Sequence, residues 1–229
     1  VVCNSEFTKK NIDPIISKRA SVIYPPVSPI ADVRYSKKNI ILSVGRFSGF
    51  SQTKKQEILI DAFSKAKAMG ALTGWRLVFA GGLLVSDNLY FENLRKKALG
   101  LSIDFYPNIN YRSLTQLYNS AKLYWHAAGF GETNPELMEH FGMSTVEAMS
   151  AGCVPISFNA GGQKEIIQHD LNGFLWLTVD ELIAYSQKLA ISRKLIVKIA
   201  KQAKESALKF SVDRFNNDFD KLLDKIITK

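Results

Sequence analysis

Short, largely apolar runs recur along this sequence and alternate with amphipathic stretches. Runs of four to six residues suit strands that are buried on both faces of a parallel sheet. The stretches between them carry apolar residues at helical spacing. The predicted strands lie at residues 40–44, 75–80, 103–106, 123–126 and 153–158. Strands that alternate with helices in this way predict an α/β fold with a doubly wound parallel sheet.

The connecting stretches and the tail are predicted to be helical. Helices are expected at residues 58–69, 88–99, 113–120, 142–151 and 162–168. The tail at residues 179–227 contains no Pro or Gly and is predicted to be almost wholly helical.

A proline-rich stretch at residues 25–29 separates the start of the chain from this pattern. Before it we predict a strand, a short helix capped by Asn4 or Ser5, and a second strand at residues 22–24. The predicted organisation is a leading fragment at residues 1–24, a linker at 25–38, the sheet domain at 39–210 and a C-terminal helix at 211–229.

Composition limits the class of protein. No run approaches the roughly 18 consecutive apolar residues that suggest a membrane-spanning helix. The two cysteines, Cys3 and Cys153, lie in apolar segments, which is typical of buried thiols in a reducing compartment. Together with three scattered histidines they give no metal-ligand spacing, so no zinc site is expected.

The chain is basic, with 30 Lys and Arg against 21 Asp and Glu and a net charge of +9. An excess of this kind suits polyanionic partners, including nucleic acid, an anionic membrane surface and a phosphorylated substrate. Much of it falls on the predicted helices between Lys188 and Lys204, where a solvated face is the simpler interpretation. Charge alone does not choose between these partners.

Glycines and basic residues gather where the predicted strands end. Ligands of doubly wound sheets bind beyond these carboxyl ends, where glycine lets the backbone approach and helix N-termini attract anions. Arginine can also clamp phosphate oxygens with two hydrogen bonds. The residues are Gly45, Arg46, Lys54 and Lys55 after the first strand, Gly81 and Gly82 after the second, the loop 127–139 after the fourth, and Gly161 and Gly162 after the fifth. Their conjunction predicts a diphosphate site.

Taken singly, these residues have plainer explanations. Arg46 could be a surface charge in a turn, Lys54 part of an exposed helix start, and Glu165 a cap three positions after Gly162. His126 could be a buried, satisfied histidine or a polar contact to the ligand.

Glu139 and Glu147 lie eight positions apart with Gly142 between them. On one continuous helix they would stand about 12 Å and about 80° apart, so one helix face could not present both. We therefore predict a helix that begins near Gly142, with Glu139 in the preceding loop and Glu147 inside the helix. Two carboxylates so placed could hold separate polyol groups around one phosphate-binding helix end.

The run from Glu139 to Pro155 resembles the E-x7-E signature of retaining glycosyltransferases of family 4, which have the GT-B fold. Three flanking segments also resemble the family, in the family's order. They are Ser43 to Phe47, Lys54 with the stretch 59–63, and Gly161-Gly162 with Glu165. The resemblance covers residues 39–172 and implies that the domain at 39–210 is a Rossmann-like donor domain, preceded by the end of an acceptor domain. The chain would then be the C-terminal half of such an enzyme, inactive alone.

The resemblance also implies residue roles. Arg46 and Lys54 would neutralise the donor diphosphate, Glu139 would contact the donor sugar, and Glu147 would bind the ribose hydroxyls. Further donor contacts are implied for Gly45, for the backbone of Phe141, Gly142, Met143, Ser144 and Thr145, and for Asn108 and Ile109 beside the base. In one departure, Lys55 stands where many members of the family have glycine.

The expected substrates are a UDP- or GDP-sugar and a saccharide or lipid-linked acceptor. No metal or cofactor and no nucleic acid is expected, and the location would be cytoplasmic, with possible contact at the cytoplasmic face of a membrane. Alternatives are a related GT-B enzyme, such as a sugar-nucleotide epimerase or a glucan or sucrose synthase, and a basic non-catalytic module that docks on membranes.

Overall fold

The computed structural model describes residues 1–16, 19–30, 36–50 and 53–227. Its strands are β1 Val2–Cys3, β2 Ser21–Val22, β3 Lys38–Val44, β4 Arg76–Gly81, β5 Ile103–Pro107, β6 Ala121–His126, β7 Val154–Phe158 and β8 Phe174–Trp176. Strands β3 to β8 form one sheet in the order β5-β4-β3-β6-β7-β8, and every neighbouring pair is parallel. Strands β1 and β2 form a separate parallel pair.

The strand order reverses between β3 and β6. The chain moves outward on one side from β3 to β5 and on the other side from β6 to β8. Loops that leave adjacent strands in opposite directions open a crevice at the carboxyl ends of those strands. The predicted doubly wound α/β fold is confirmed, and its switch point lies between Val44 and His126.

The helices are close to their predicted positions. They are α1 Glu6–Ile12, α2 Gln56–Ala68, α3 Asn88–Lys97, α4 Tyr111–Ser120, α5 Met143–Ser150, α6 Gln163–Ile166, α7 Val179–Ala190, α8 Arg193–Ala207 and α9 Val212–Ile227. Helix α6 is shorter than the prediction at 162–168, because Ile167 already has an extended backbone. Strand β8 was not predicted. The helical tail is confirmed and contains three α-helices among the described residues.

Both faces of the sheet are covered. Successive strand residues point to opposite faces, so neighbouring Trp125 and Tyr124 enter different cores although both are fully buried. Trp125 packs with Phe63 of α2, at 6.4 Å between ring centroids, and Tyr124 lies in the same cluster as Tyr118 of α4. Each large side chain buried in this way contributes about 2 to 3 kcal/mol of hydrophobic free energy, which fixes the strand ends that carry the site.

The leading segment packs directly on the sheet domain. Glu165 of α6 accepts hydrogen bonds from the backbone N–H groups of Glu6 (2.9 Å) and Phe7 (2.7 Å) and from the hydroxyl of Tyr24 (2.9 Å). The interpretation of Glu165 as a cap near Gly162 was therefore wrong, because α6 has no side-chain cap. The Glu165 side chain instead caps α1, more than 150 positions away. Burial, and then the Glu165 carboxylate, raise the pKa of Tyr24.

Ser5 is the residue that caps α1, and it also reaches the sheet domain. Its hydroxyl accepts from the N–H of Thr8 (3.0 Å) and donates to the carbonyl of His140 (2.6 Å). The stretch predicted as a linker is anchored as well. Val27 donates to the carbonyl of Phe210 (2.8 Å), and Ile30 donates to the hydroxyl of Ser150 (3.0 Å). Residues 31–35 of that stretch lie outside the described residues.

Helix α9 is amphipathic and has no buried residue. Phe215 and Phe219 stack on each other, at 6.0 Å between ring centroids. Within the described residues, none of the helices has both the length and the apolar character needed to cross a bilayer.

Candidate active site

A cleft of about 440 Å³ opens beyond the carboxyl end of β3, between that strand end and the start of α5. Nine of the twelve predicted site residues line it: Gly45, Arg46, Lys54, Glu139, Phe141, Gly142, Met143, Ser144 and Glu147. The remaining lining residues are Asn4, Pro25, Val44 and His140. Residues that are up to about a hundred positions apart in the sequence thus lie in one cleft, at the sheet edge where the sequence pattern placed them.

The floor of the cleft depends on close contact between two strand ends. The N–H of Gly45 donates to the carbonyl of Ala80 (2.9 Å). Gly81 has a φ of +156°, and a Cβ at this position would lie 2.0 Å from the carbonyl oxygen of Gly45. Only glycine fits there. The stem of Lys54 lies over Gly45, since a Cβ on Gly45 would be 2.6 Å from Cγ of Lys54.

Glu139 lies in the loop ahead of α5, as predicted, and carries two polar contacts on one oxygen. Its Oε2 is 2.6 Å from Nζ of Lys54 and 3.0 Å from Nε2 of His126. The side chains of Lys54 and Glu139 are 22% and 16% exposed, whereas that of His126 is 3% exposed. The ion pair is therefore mostly buried but borders the cleft, whereas the histidine is buried next to it.

The same partners control the ionisation of Glu139. Burial alone would raise its pKa, but the hydrogen bond and charge of His126, followed by the Lys54 ammonium, outweigh burial and hold the pKa well below 4.5. The carboxylate is consequently ionised at neutral pH and acts as a hydrogen-bond acceptor.

Gly142 is the N-cap of α5 and has a φ of +119°. The N–H groups of Met143 and Ser144, in the first turn, have no acceptor within the helix and carry the positive end of its dipole. Both residues border the cleft, so an anion there would meet N–H donors. Thr145 differs, because its N–H donates to the carbonyl of Gly142 (3.0 Å) and its side chain is fully buried.

Glu147 lies inside α5, as predicted, and faces the cleft. Its Oε2 accepts a hydrogen bond from the hydroxyl of Tyr118 at 2.7 Å. Burial raises the pKa of Glu147, and the Tyr118 hydrogen bond only partly offsets this. Tyr118 is fully buried, and burial, Tyr124 and Glu147 raise its pKa, so its hydroxyl remains a donor.

The loop from Glu139 to Phe141 rests on the two glycines before α6. The N–H of Gly162 donates to the carbonyl of Glu139 at 2.8 Å. A Cβ on Gly161 would lie 2.1 Å from that same carbonyl oxygen, and a Cβ on Gly162 would lie 2.5 Å from the carbonyl oxygen of His140. Both glycines therefore allow backbone to touch backbone directly beneath Glu139.

Asn108, Ile109 and Thr145 are the three predicted site residues that do not line the cleft. Asn108 braces two loops, accepting from the N–H of Leu83 (2.9 Å) and donating to its carbonyl (3.1 Å). Ile109 borders a separate groove of about 820 Å³.

Some residues of the site could not be selected from the sequence. Tyr118 and Tyr124 resemble ordinary core residues in the sequence. The Tyr124 hydroxyl nevertheless donates to Oγ of Ser144 at 2.8 Å, just as the Tyr118 hydroxyl donates to Glu147. Asn4 lines the cleft from the leading segment, and Pro25 lines it from the start of the proline-rich stretch. Within the described ranges, no group of three or more His, Cys, Asp or Glu side chains is arranged to hold a metal ion.

The partners of Glu139 predict a pH effect on stability. Because the folded pKa is lowered, ionised Glu139 stabilises the fold above about pH 4.5, and this contribution disappears as the pH falls through the range below it. Glu139→Gln should therefore lower the free energy of unfolding by about 1 to 3 kcal/mol at pH 7. Urea unfolding at pH 7, 5 and 3 measures the difference, which should shrink at pH 3. A difference that is constant across this range would contradict the prediction.

Comparison with known proteins gives a consistent result. A family model described as "Glycosyl transferases group 1" matches residues 30–206. A curated relative from Dictyostelium discoideum, "GDP-Man:Man(3)GlcNAc(2)-PP-Dol alpha-1,2-mannosyltransferase", is 28% identical over 250 residues, covering 100% of this chain and 48% of the relative. The Homo sapiens relative of the same description is 26% identical, covering 99% of this chain and 48% of the relative. The chain thus spans about half the length of these relatives.

Among solved structures, Anabaena Alr3699/HepE in complex with UDP superimposes with a TM-score of 0.80 at 24% identity. The match covers 98% of this chain and 63% of that chain. At this identity the likeness concerns the fold.

Proposed function

The chain belongs to the group 1 glycosyltransferase family, and from this premise we propose that it forms the donor-binding part of an enzyme that transfers a sugar from a nucleoside diphosphate sugar. The observation that carries the proposal is the cleft itself. Within one cavity it combines two cations, the start of a helix and two carboxylates in different settings. Diphosphate, ribose and sugar each have a matching group there.

The relatives' names supply the finer proposal on substrates. We propose GDP-mannose as the donor and a lipid-linked saccharide as the acceptor, since the relatives are described as GDP-Man-dependent mannosyltransferases with a PP-Dol-linked acceptor. Such an acceptor would bring the reaction to a membrane surface, and we propose its cytoplasmic face.

Roles follow from the chemistry of each group. Arg46, Lys54 and the first N–H groups of α5 would bind the diphosphate, and Glu147 would accept hydrogen bonds from the ribose hydroxyls. Transfer breaks the bond between the anomeric carbon and the β-phosphate oxygen, so negative charge develops on the departing diphosphate. Cations and helix N–H groups aimed at that oxygen stabilise the transition state. We propose transfer with retention and without a metal, with the departing phosphate taking the acceptor's proton.

The test is calorimetric titration of the chain with GDP, GDP-mannose, UDP and UDP-glucose. We expect saturable binding of GDP and GDP-mannose. Glu147→Gln should weaken GDP binding by about 10- to 100-fold, because the charge-assisted hydrogen bonds to ribose are lost. Since burial raises the pKa of Glu147 above 4.5, wild-type affinity should begin to fall on acidification at a higher pH than an ordinary glutamate would give.

The matched control is the ligand that lacks the ribose hydroxyls. With 2′,3′-dideoxy-GDP, wild-type and Glu147→Gln chains should bind with similar affinity, since the interaction removed by the substitution is absent. Tyr118→Phe keeps the carboxylate and removes one of its partners, so it should weaken GDP binding much less. A folded chain that binds none of these nucleotides would refute the proposed function.

A further inference from the structure

His126 is a buried titratable residue to which the proposed roles assign no task. It ends β6 at the switch point, is 3% exposed and does not line the cleft. Its Nδ1 atom is buried and has no hydrogen-bond partner among the described residues. The ring therefore does not present a nitrogen to a ligand in the cleft. Within the described part of the chain, its one hydrogen bond is between Nε2 and Oε2 of Glu139, at 3.0 Å.

The chemistry of Glu139 determines the direction of this hydrogen bond. An ionised carboxylate only accepts hydrogen bonds, and the pKa of Glu139 is held well below 4.5. Nε2 of His126 must then carry the proton and donate it to Oε2. Lys54 donates to the same oxygen at 2.6 Å. Both of these bonds use Oε2, and Oε1, the second oxygen of Glu139, forms no hydrogen bond with another described residue.

The two donors differ in what holds them. The Lys54 side chain is partly exposed, and its ammonium stands at the end of a flexible aliphatic chain. In the proposed function this ammonium also binds the diphosphate. It cannot hold Glu139 with the same geometry once an anion competes for it. His126 is fixed by the strand that carries it, because β6 is paired on both sides, with β3 and β7. Since its side chain is also buried, we expect this donor to stay in place when the cleft is occupied.

We propose that His126 is the positioning residue for Glu139. It holds Oε2 so that Oε1 is directed at the donor sugar when the ammonium of Lys54 pairs with the diphosphate instead of with Glu139. The inference rests on the proposed function, because it concerns the sugar-binding step of that site. It predicts that loss of the His126 donor weakens the contribution of the sugar to binding and spares that of the nucleotide.

The experiment compares GDP with GDP-mannose on the full chain and its His126 variants. The readout is the ratio of the two dissociation constants, which isolates the contribution of the sugar. His126→Leu should reduce that contribution about 10- to 100-fold, as expected for one hydrogen bond to a charged group, while GDP affinity changes less than twofold. A merely structural role would weaken both ligands together.

Two amide variants provide the matched comparison. Glutamine places an N–H near the position of Nε2 in histidine, whereas the shorter asparagine places it near Nδ1. His126→Gln should therefore recover most of the sugar contribution, and His126→Asn should behave like His126→Leu. If the leucine variant fails to fold, this pair of polar variants still decides the question. Equal ratios for Gln and Asn would overturn the proposal.

A second readout does not depend on nucleotide binding. The lowered pKa of Glu139 makes stability fall as the pH drops below about 4.5. This dependence should persist in His126→Gln and weaken in His126→Asn. A wild-type chain that binds no nucleotide, but in which Gln and Asn differ in this way, would refute the proposed function and leave the positioning of Glu139 by His126 supported. Identical pH profiles of the two variants would refute the positioning.

Discussion

Gly162→Ala should destabilise the protein by about 2 to 4 kcal/mol, in the range expected for a forced overlap in a packed interior, and weaken GDP-mannose binding by more than tenfold. The methyl group would lie 2.5 Å from the carbonyl oxygen of His140 and from Cα of Phe141. Both are backbone atoms, so no side chain can rotate away and the loop that carries Glu139 must move. Gly161→Ala should have a similar or larger effect, because its φ of +59° is strained for alanine and its Cβ would lie 2.1 Å from the carbonyl oxygen of Glu139.

The glycines of the chain include matched controls. Gly82→Ala also introduces a methyl group, but the nearest atom, Cγ of Arg46, is 4.0 Å away. Gly131→Ala has a similar positive φ of +74° and no atom within 4 Å, so it isolates the backbone strain from the overlap. Urea unfolding and calorimetry on the four variants separate the effects. If Gly162→Ala is as stable as Gly82→Ala, the loop is not held by this contact.

Lys54→Met should weaken GDP binding by about 10- to 100-fold, the range for a charged hydrogen-bond partner, and leave binding of guanosine nearly unchanged. The substitution keeps an apolar stem over Gly45 and removes the ammonium from the cleft. Calorimetry with guanosine, GMP and GDP measures the effect as phosphates are added. Because the lost interaction is ionic and partly exposed, the difference between wild type and variant should shrink at high salt.

The adjacent residue is the control for this prediction. Lys55→Met removes the same charge one position away, but Lys55 pairs with Glu132 at 2.5 Å and does not line the cleft. Lys55 has a φ of 53°, and methionine is expected to tolerate this backbone conformation as well as lysine does, because both side chains are unbranched. The two variants therefore differ mainly in the position of the charge that is removed. Equal losses of GDP affinity in both variants would mean that net charge, and not the position of Lys54, controls binding.

Most of the fold could be predicted because parallel strands buried on both faces leave a strong signal. Runs such as 40–44 are apolar except for Ser43, and the glycines that follow them mark the strand ends. Strand β8 escaped prediction because it is only three residues long and lies at the edge of the sheet. Helix α6 was predicted too long because helical spacing continued past Ile166, where the backbone becomes extended.

The candidate site was predictable to the extent that it depends on strand ends. Arg46, Lys54 and Glu139 could be grouped because the carboxyl ends of parallel strands meet at one edge of the sheet. Tyr118 could not be grouped with them, since its apolar neighbours in α4 predict only a core position. The reach of Glu165 to α1 was also invisible, because no local pattern specifies a hydrogen bond across more than 150 positions.

The anchoring of the leading segment by Ser5 and Glu165 has a practical consequence for dissecting this protein. The proline-rich stretch invites a cut near residue 25, as if a self-contained domain began there. Such a truncation would remove Asn4 and the hydroxyl that holds the carbonyl of His140, and would leave the Glu165 carboxylate without its partners. A shortened chain could keep its sheet and still lose one wall of the cleft. The part of the chain that forms the cleft therefore begins earlier than the proline-rich stretch suggests.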